Sequence, residues 1–301
     1  MFLEKCRTYP LKNKGKWTIQ GHSVAGFSTG FILGPMKWGL DAGIYTRKKL
    51  GKLFLTHQHM DHTQALPQIT ARHDTFDSTK PKQPIHIFMP QSVELPVRKY
   101  MEGVIALSAR ETTPLDCSEK SVVWDRQCYM PVPVEAGQTI TVDNVSVEIL
   151  RAYHGHVETV GYGFKSIHKR LKDEFTCSHI EGRKVCSECK QNIMEARKRK
   201  ENIHQLIYLP ELVFFCDSTV DNLTLHHEWQ SYPVIMCECT HYGNASSSTH
   251  TDIKVLKPIM LAHSDKQWIL LHASQSYSSS ELDAFEKELH TSGLDVIIIR
   301  E

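Results

Sequence analysis

Three histidines and an aspartate crowd into six positions, His57-x-His59-x-Asp61-His62, directly after the apolar run Leu53-Phe54-Leu55. Imidazole and carboxylate together are the ligand set of zinc and of similar divalent ions. A strand that delivers such a turn and then enters a helix can wrap two ions at once. The chain holds eighteen histidines, so some clustering is expected. Their order behind an apolar strand is what separates this segment from a histidine-rich loop. Two ions held about 3.5–4 Å apart can clamp the attacking and leaving oxygens of a phosphodiester and bring water to a reactive pKa near neutrality. The chemistry in view is metal-assisted hydrolysis.

The surrounding pattern supplies the elements that must carry this turn. Residues 17–24 read as a first strand, and 31–33 with 38–40 as a hairpin around Gly34-Pro35. Residues 52–55 form the strand that feeds the metal turn, and a helix is expected from Asp61 to Ala71. Residues 84–90 read as a short buried strand between prolines, and 93–107 as a helix. Residues 139–150 suit two strands joined at Asp143-Asn144. Near the end, 279–290 reads as a capped helix with Leu282, Phe285 and Leu289 on its apolar face and Gly293 past its end. A final apolar strand covers 294–299.

The interval 165–205 breaks the strand rhythm: it is polar, basic and poor in large apolar residues. Between Lys165 and Lys200 eleven Lys or Arg stand against five Asp or Glu, although the whole chain carries a net charge of only +1. Such local asymmetry suggests an anionic partner for one segment rather than a generally basic surface. Lys169-Arg170, Arg183-Lys184 and Arg197-Lys198-Arg199-Lys200 are the basic clusters, and 188–201 has helical spacing. Cys177, Cys186 and Cys189 lie in the same interval, and a Cys-x2-Cys step is a common half of a structural zinc site. His179 or His168 would be the fourth ligand of such a knuckle.

A length of 301 residues and 41% hydrophobic content suit one sizeable core. No apolar run reaches the ~20 residues that span a bilayer. The N-terminus lacks the long apolar core of a secretory signal, so secretion is not expected. Nine cysteines, an odd number, favour reduced thiols in a cytoplasmic or nuclear setting over a paired disulfide framework.

The motif His57-x-His59-x-Asp61-His62 resembles that of the metallo-β-lactamase superfamily. Further segments resemble its later motifs, in the same order: Tyr153-His154-Gly155-His156, Cys216-Asp217-Ser218-Thr219 and Leu271-His272. Asp41-Ala42-Gly43 resembles the Asp-x-Gly whose carboxylate organises the turns under the metal site. Within the superfamily the chain looks most like ribonuclease Z, over about residues 17 to 280. Gly161-Tyr162-Gly163, Cys237-Glu238-Cys239-Thr240, Thr249-His250-Thr251 and His272-Ala273-Ser274-Gln275-Ser276-Tyr277 carry that likeness. The chain departs from the pattern at Cys216, where Gly is usual, and at Ala273 and Ser276, where Phe and Arg are usual.

The resemblance implies an α/β fold, a four-layer αββα sandwich formed by residues 1–301 as one domain, with 165–205 as an inserted arm. It implies two divalent ions, zinc above all. His57, His59 and His154 would hold one; Asp61, His62 and His272 the other; Asp217 would bridge them. His156 competes with His154 for its position, with Tyr153 favouring His154. Asp61 would also orient the nucleophile. His250 would be the general acid, hydrogen-bonded to Glu238. The implied activity is removal of 3′ trailers from precursor tRNA, by a homodimer whose arm grips the tRNA body. The alternatives are a hydrolase of the same fold acting on a small ester, thioester or β-lactam, and an inactive nucleic-acid-binding relative.

Overall fold

Two seven-stranded sheets face each other in the computed structural model, which describes residues 2–71, 84–109, 128–176, 186–243 and 248–300. The first sheet lays its strands side by side in chain order: β1 (Thr8–Pro10), β2 (Thr18–Val24), β3 (Ser28–Gly34), β4 (Trp38–Leu40), β5 (Lys52–Phe54), β6 (Ile85–Pro90) and β7 (Tyr129–Val134). The second does the same with β8 (Thr139–Val142), β9 (Val145–His154), β10 (Val157–Leu171), β11 (His204–Phe214), β12 (Val234–Glu238), β13 (Gln267–Leu271) and β14 (Asp295–Ile298). Both sheets follow one plan. Pairing is antiparallel from β1 to β4 and from β8 to β11, then parallel from β4 to β7 and from β11 to β14.

Parallel neighbours need crossovers, and helices on the outer faces provide them. α1 (Met60–Thr63) and α2 (Leu66–Ala71) follow β5, and α3 (Gln91–Ala109) follows β6. α4 (Ser187–Lys198) lies between β10 and β11, and the one-turn α5 (Asp221–Thr224) follows β11. α6 (Ile253–Ala262) and α7 (Ser279–Thr291) precede β13 and β14. α7 starts on a capping box, in which Ser278 and Glu281 satisfy each other's backbone N–H groups.

The buried side chains match these layers. Between the sheets, Phe31, Trp38, Phe54 and Phe88 meet Tyr162, Phe164 and Phe214. Phe54 stacks on Phe88 at 4.7 Å and meets Phe164 edge-on at 5.3 Å. Val93, Val97 and Met101 of α3 cover the outside of the first sheet. Leu256, Met260, Leu282 and Leu289 of α6 and α7 cover the second. The architecture is the α/β, four-layer αββα sandwich expected from the sequence.

Three local expectations change. The helix expected from Asp61 to Ala71 is broken at Gln64-Ala65, because the Ala65 N–H bonds to Ala42 O at 2.8 Å. Pro67, which has no N–H, is accommodated in the first turn of the second piece. The interval 165–205 begins and ends as strand: β10 and β11 stay paired out to Leu171 and His204. Their register shifts between Phe164 and Lys165, and beyond that bulge their side chains are mostly outside the core, so the apolar alternation disappears although the ladder continues. Past it, Phe175, Ala196 and Ile203 build a small separate core with Leu171 and Ile193. Strands β1 and β7 were not foreseen from the sequence. β7 carries Pro131 and Pro133, which an edge strand tolerates.

Candidate metal centre

The turn after β5 meets the carboxyl ends of β9, β11 and β13, the place where open α/β sheets put their ligand sites. His57, His59, His154 and Asp217 bring one ligand atom each within 4.8 Å of one another. Asp61, His62, Asp217 and His272 form a second such group. Asp217 belongs to both, and its two oxygens divide the work. Oδ1 lies 3.2 Å from His62 Nε2 and 3.1 Å from His272 Nε2. Oδ2 lies 3.8 Å from His57 Nε2 and 3.9 Å from His154 Nε2.

The rings are held from behind. His57 Nδ1 is 3.0 Å from Thr56 Oγ1, and His62 Nδ1 is 3.0 Å from Asp41 Oδ2. His154 Nδ1 is 3.1 Å from Thr249 O, and His272 Nδ1 is 3.1 Å from Thr240 Oγ1. All four therefore turn Nε2 inward. His59 differs: its Nδ1 faces His154 Nε2 at 3.3 Å. Outer contacts of this kind set ring orientation and tautomer in metal sites. Asp41 is the hub beneath, since it also accepts the Thr56 N–H at 2.8 Å.

This donor set fits divalent cations. His57 Nε2 is buried and makes no hydrogen bond among the described residues, a costly state that an ion relieves. Burial, reinforced by the neighbouring His62, holds His57 well below its usual pKa. Burial alone would raise Asp217, but His62 and His272 facing it hold it well below the carboxylate range. Neutral imidazole and ionised carboxylate are the ligating forms. Burial also opposes charge on His62, yet the Asp217 carboxylate overcomes this and draws its pKa well up. An ion binding at His62 Nε2 displaces a proton.

The Glu238 and His250 side chains reach the same rim. His250 Nδ1 lies 2.7 Å from Glu238 Oε1, and its ring sits 5.1 Å from that of His154 and 5.5 Å from that of His272. Burial lowers the His250 pKa, and the hydrogen bond to Glu238 outweighs it, for a net rise. Glu238 is itself fixed by Thr240 Oγ1 at 2.5 Å and by the backbone N–H groups of Ser218 and Thr251. Every residue of the expected ligand and acid set is thus brought to one place. His156 is not: it is exposed and joins neither group, whereas His154 joins the first. Thr56 and Thr240 orient ligand rings, a part that the motifs do not reveal although Thr240 stands in one of them. Cys216, where the family pattern has Gly, puts its thiol 3.6 Å from His62 Nδ1.

In the arm, Cys186 caps α4 by accepting the Cys189 N–H at 3.4 Å. Cys177, His179, Arg183 and Lys184 lie outside the described residues. His168 is exposed and bonds Ser166 at 2.9 Å. None of the seven described cysteines forms a disulfide.

Gly43 gives the centre its tightest backbone constraint. A Cβ at this position would lie 1.7 Å from Asp61 O and 2.6 Å from Thr29 N. Gly43→Ala must therefore displace the turn carrying Asp61 and His62. We expect a metal-affinity loss of roughly 10–100-fold, the range seen when the groups supporting a ligand are removed. Competition titration against a chromophoric chelator measures it, and an unchanged affinity would show that the turn adapts.

No family model matches the chain. The chloroplastic tRNase Z TRZ2 of Arabidopsis thaliana is 24% identical over 281 residues, covering 88% of this chain and 70% of that protein. A diphosphatase of the PhnP family superimposes with a TM-score of 0.58 at 10% identity, over 95% of this chain and 94% of that one. The metallo-β-lactamase fold protein YhfI of Bacillus subtilis superimposes with a TM-score of 0.54 at 14% identity, over 93% and 94%. At these identities the two structures speak for the fold. The chain has the metallo-β-lactamase fold, and its sequence is similar to that of a tRNase Z.

Proposed function

We propose that the protein is a zinc-dependent endoribonuclease that removes 3′ trailers from precursor tRNA. The observation that carries this is the divided Asp217 carboxylate, one oxygen toward each ligand group, with the Glu238–His250 pair beside both. The tRNase Z relative supports the choice of substrate.

His57, His59 and His154 would hold one zinc ion, Asp61, His62 and His272 the other, and Asp217 both. Bound there, two divalent ions supply Lewis acidity and a nucleophile at neutral pH. The chain's own residues do the rest. The Asp61 carboxylate takes the Gly26 N–H at 3.0 Å, which fixes its position at the mouth of the second group. From there it orients the attacking water. Glu238 accepts the Nδ1 proton of His250 and favours its imidazolium form, so that Nε2–H gives its proton to the departing 3′ oxygen of the tRNA and leaves a neutral ring. The surrounding sandwich buries His57, His62, His154, Asp217 and His272 and leaves His59 and Asp61 partly open to solvent.

The arm supports the choice of a large anionic substrate. Lys169 and Arg170 sit on the outer part of β10, and Arg197, Lys198 and Lys200 at the end of α4, all exposed. They would contact phosphates and read the shape of the tRNA body. We place the enzyme in the cytoplasm or nucleus as a homodimer in which one subunit's arm serves the other's site. Among the described residues no helix is long and apolar enough to cross a membrane.

Incubation with a precursor tRNA carrying a 3′ trailer, with and without chelator, tests the reading. Chelator-sensitive release of the trailer is expected. Hydrolysis confined to small esters would instead make the protein another hydrolase of the fold. A triple Arg197→Ala, Lys198→Ala, Lys200→Ala variant is expected to bind tRNA more weakly and with a shallower salt dependence. The slope of log K against log salt should fall by about 2–3, close to one for each phosphate left unneutralised. Filter binding across a salt series reads it, and an unchanged slope would remove the arm from the interface.

A further inference from the structure

A cavity of about 350 Å³ opens beside the metal centre, between the turn at residues 24–28 and the segment 273–279. We propose that it is a subsite for one nucleobase of the RNA strand next to the scissile phosphate, with Phe27 as its stacking platform. The inference rests on the ribonuclease reading above and names what that site recognises.

The cavity is structurally continuous with the ligands. Ser23 Oγ, in its wall, accepts the His272 N–H at 3.0 Å. Gly26 N–H donates to Asp61 Oδ2 at 3.0 Å, and Ala25 N–H to Ala273 O at 3.1 Å. The cavity's walls are therefore joined through one or two residues to both Asp61 and His272. The turn is also well tied down. Phe27 N–H donates to Val24 O at 3.1 Å, and Gln64 Nε2 donates to Phe27 O at 2.9 Å. On this fixed backbone the Phe27 side chain is 57% exposed. A large aromatic held in place yet left in water, at the rim of a reaction centre, suits a flat apolar partner.

The polar lining decides which partner. Apart from Arg300 it consists of hydroxyls and an amide, from Ser23, Ser274, Tyr277, Ser278, Ser279 and Gln275. Gln275 Nε2 is committed to Ala25 O at 2.9 Å, and Oε1 makes no hydrogen bond among the described residues. That oxygen is available to accept from an exocyclic amino or ring N–H of a base. Arg300 is the cation in the described lining, and it is paired with Asp283 and with Glu286, the latter at 2.5 Å. A phosphate would find no uncommitted positive charge there. An aromatic face with neutral hydrogen-bonding groups is how proteins hold unstacked bases.

The test uses the intact protein and two RNAs, a precursor tRNA and the same RNA with abasic nucleotides flanking the cleavage site. Phe27→Ala is expected to lower kcat/KM on the normal RNA roughly 10–100-fold, the effect of losing one stacked base. On the abasic RNA wild type should fall by a similar factor, and Phe27→Ala should lose little more. Phe27→Tyr should restore the difference between the two RNAs. Additive losses, or wild type cleaving both RNAs alike, would overturn the subsite while leaving the nuclease intact. Wild type cleaving neither RNA, with both ions bound, would remove the nuclease reading and the subsite with it.

Discussion

An Asp217→Asn variant is expected to lose about 10²–10⁴-fold in phosphodiester cleavage, because interactions worth roughly 10–100-fold each are weakened at two ions together. The side chain is 3% exposed and its two oxygens address separate groups of ligands. Asparagine keeps the shape but supplies one carbonyl oxygen and one NH2 group. One ligand group would then face a donor where it needs an acceptor. Removal of the negative charge also leaves His62 and His272 without the carboxylate that now faces them at 3.2 and 3.1 Å. Elemental analysis should show metal content falling from two toward zero, with the circular dichroism of the sandwich retained. Two tightly bound ions and near-normal turnover in this variant would show that Asp217 bridges nothing.

The second large effect is expected at His250. His250→Ala should depress tRNA cleavage about 10²–10⁴-fold, the usual contribution of a positioned acid, with metal content still near two per chain. His250 belongs to neither of the two groups that contain Asp217, and it is held by Glu238 at 2.7 Å. An activated diester such as bis(p-nitrophenyl) phosphate has a leaving group that needs no proton. The variant should therefore retain most of its activity on that compound. Equal losses on both substrates would mean that His250 positions the ligands instead, and undiminished tRNA cleavage would sink the acid assignment.

Much of this site is legible from the chain because its ligands are clustered or end apolar strands. His57 to His62 sit in one turn, and Asp217 and His272 each follow a buried run ending in Cys216 and Leu271. The competition between His154 and His156 is not resolvable by spacing. The hairpin separates the two rings: His154 pairs with Val157 across the two-residue turn Gly155-His156, with Gly155 at φ +57°, and His154 is buried while His156 is exposed. The part of Thr56 and Thr240 escapes a motif search because it is played across space, each joining a carboxylate to a ligand ring. The outer β10–β11 ladder escapes it because Lys165 to Leu171 is mostly polar on both faces and Leu206 to Leu209 is apolar on both, so neither strand leaves a period to read. Backbone pairing alone declares it, and backbone pairing has no side-chain signature.

The division of ligands between the sheets has a thermodynamic consequence. His57, His59, Asp61 and His62 hang from the first sheet; His154, Asp217 and His272 from the second. Each ion would therefore fasten one half of the polypeptide to the other, like a rivet through two plates. Tightness of the sandwich and supply of the ion become a single linked quantity, since whatever binds the native chain alone stabilises it by mass action. A cell that starves this protein of metal would weaken its architecture along with its chemistry.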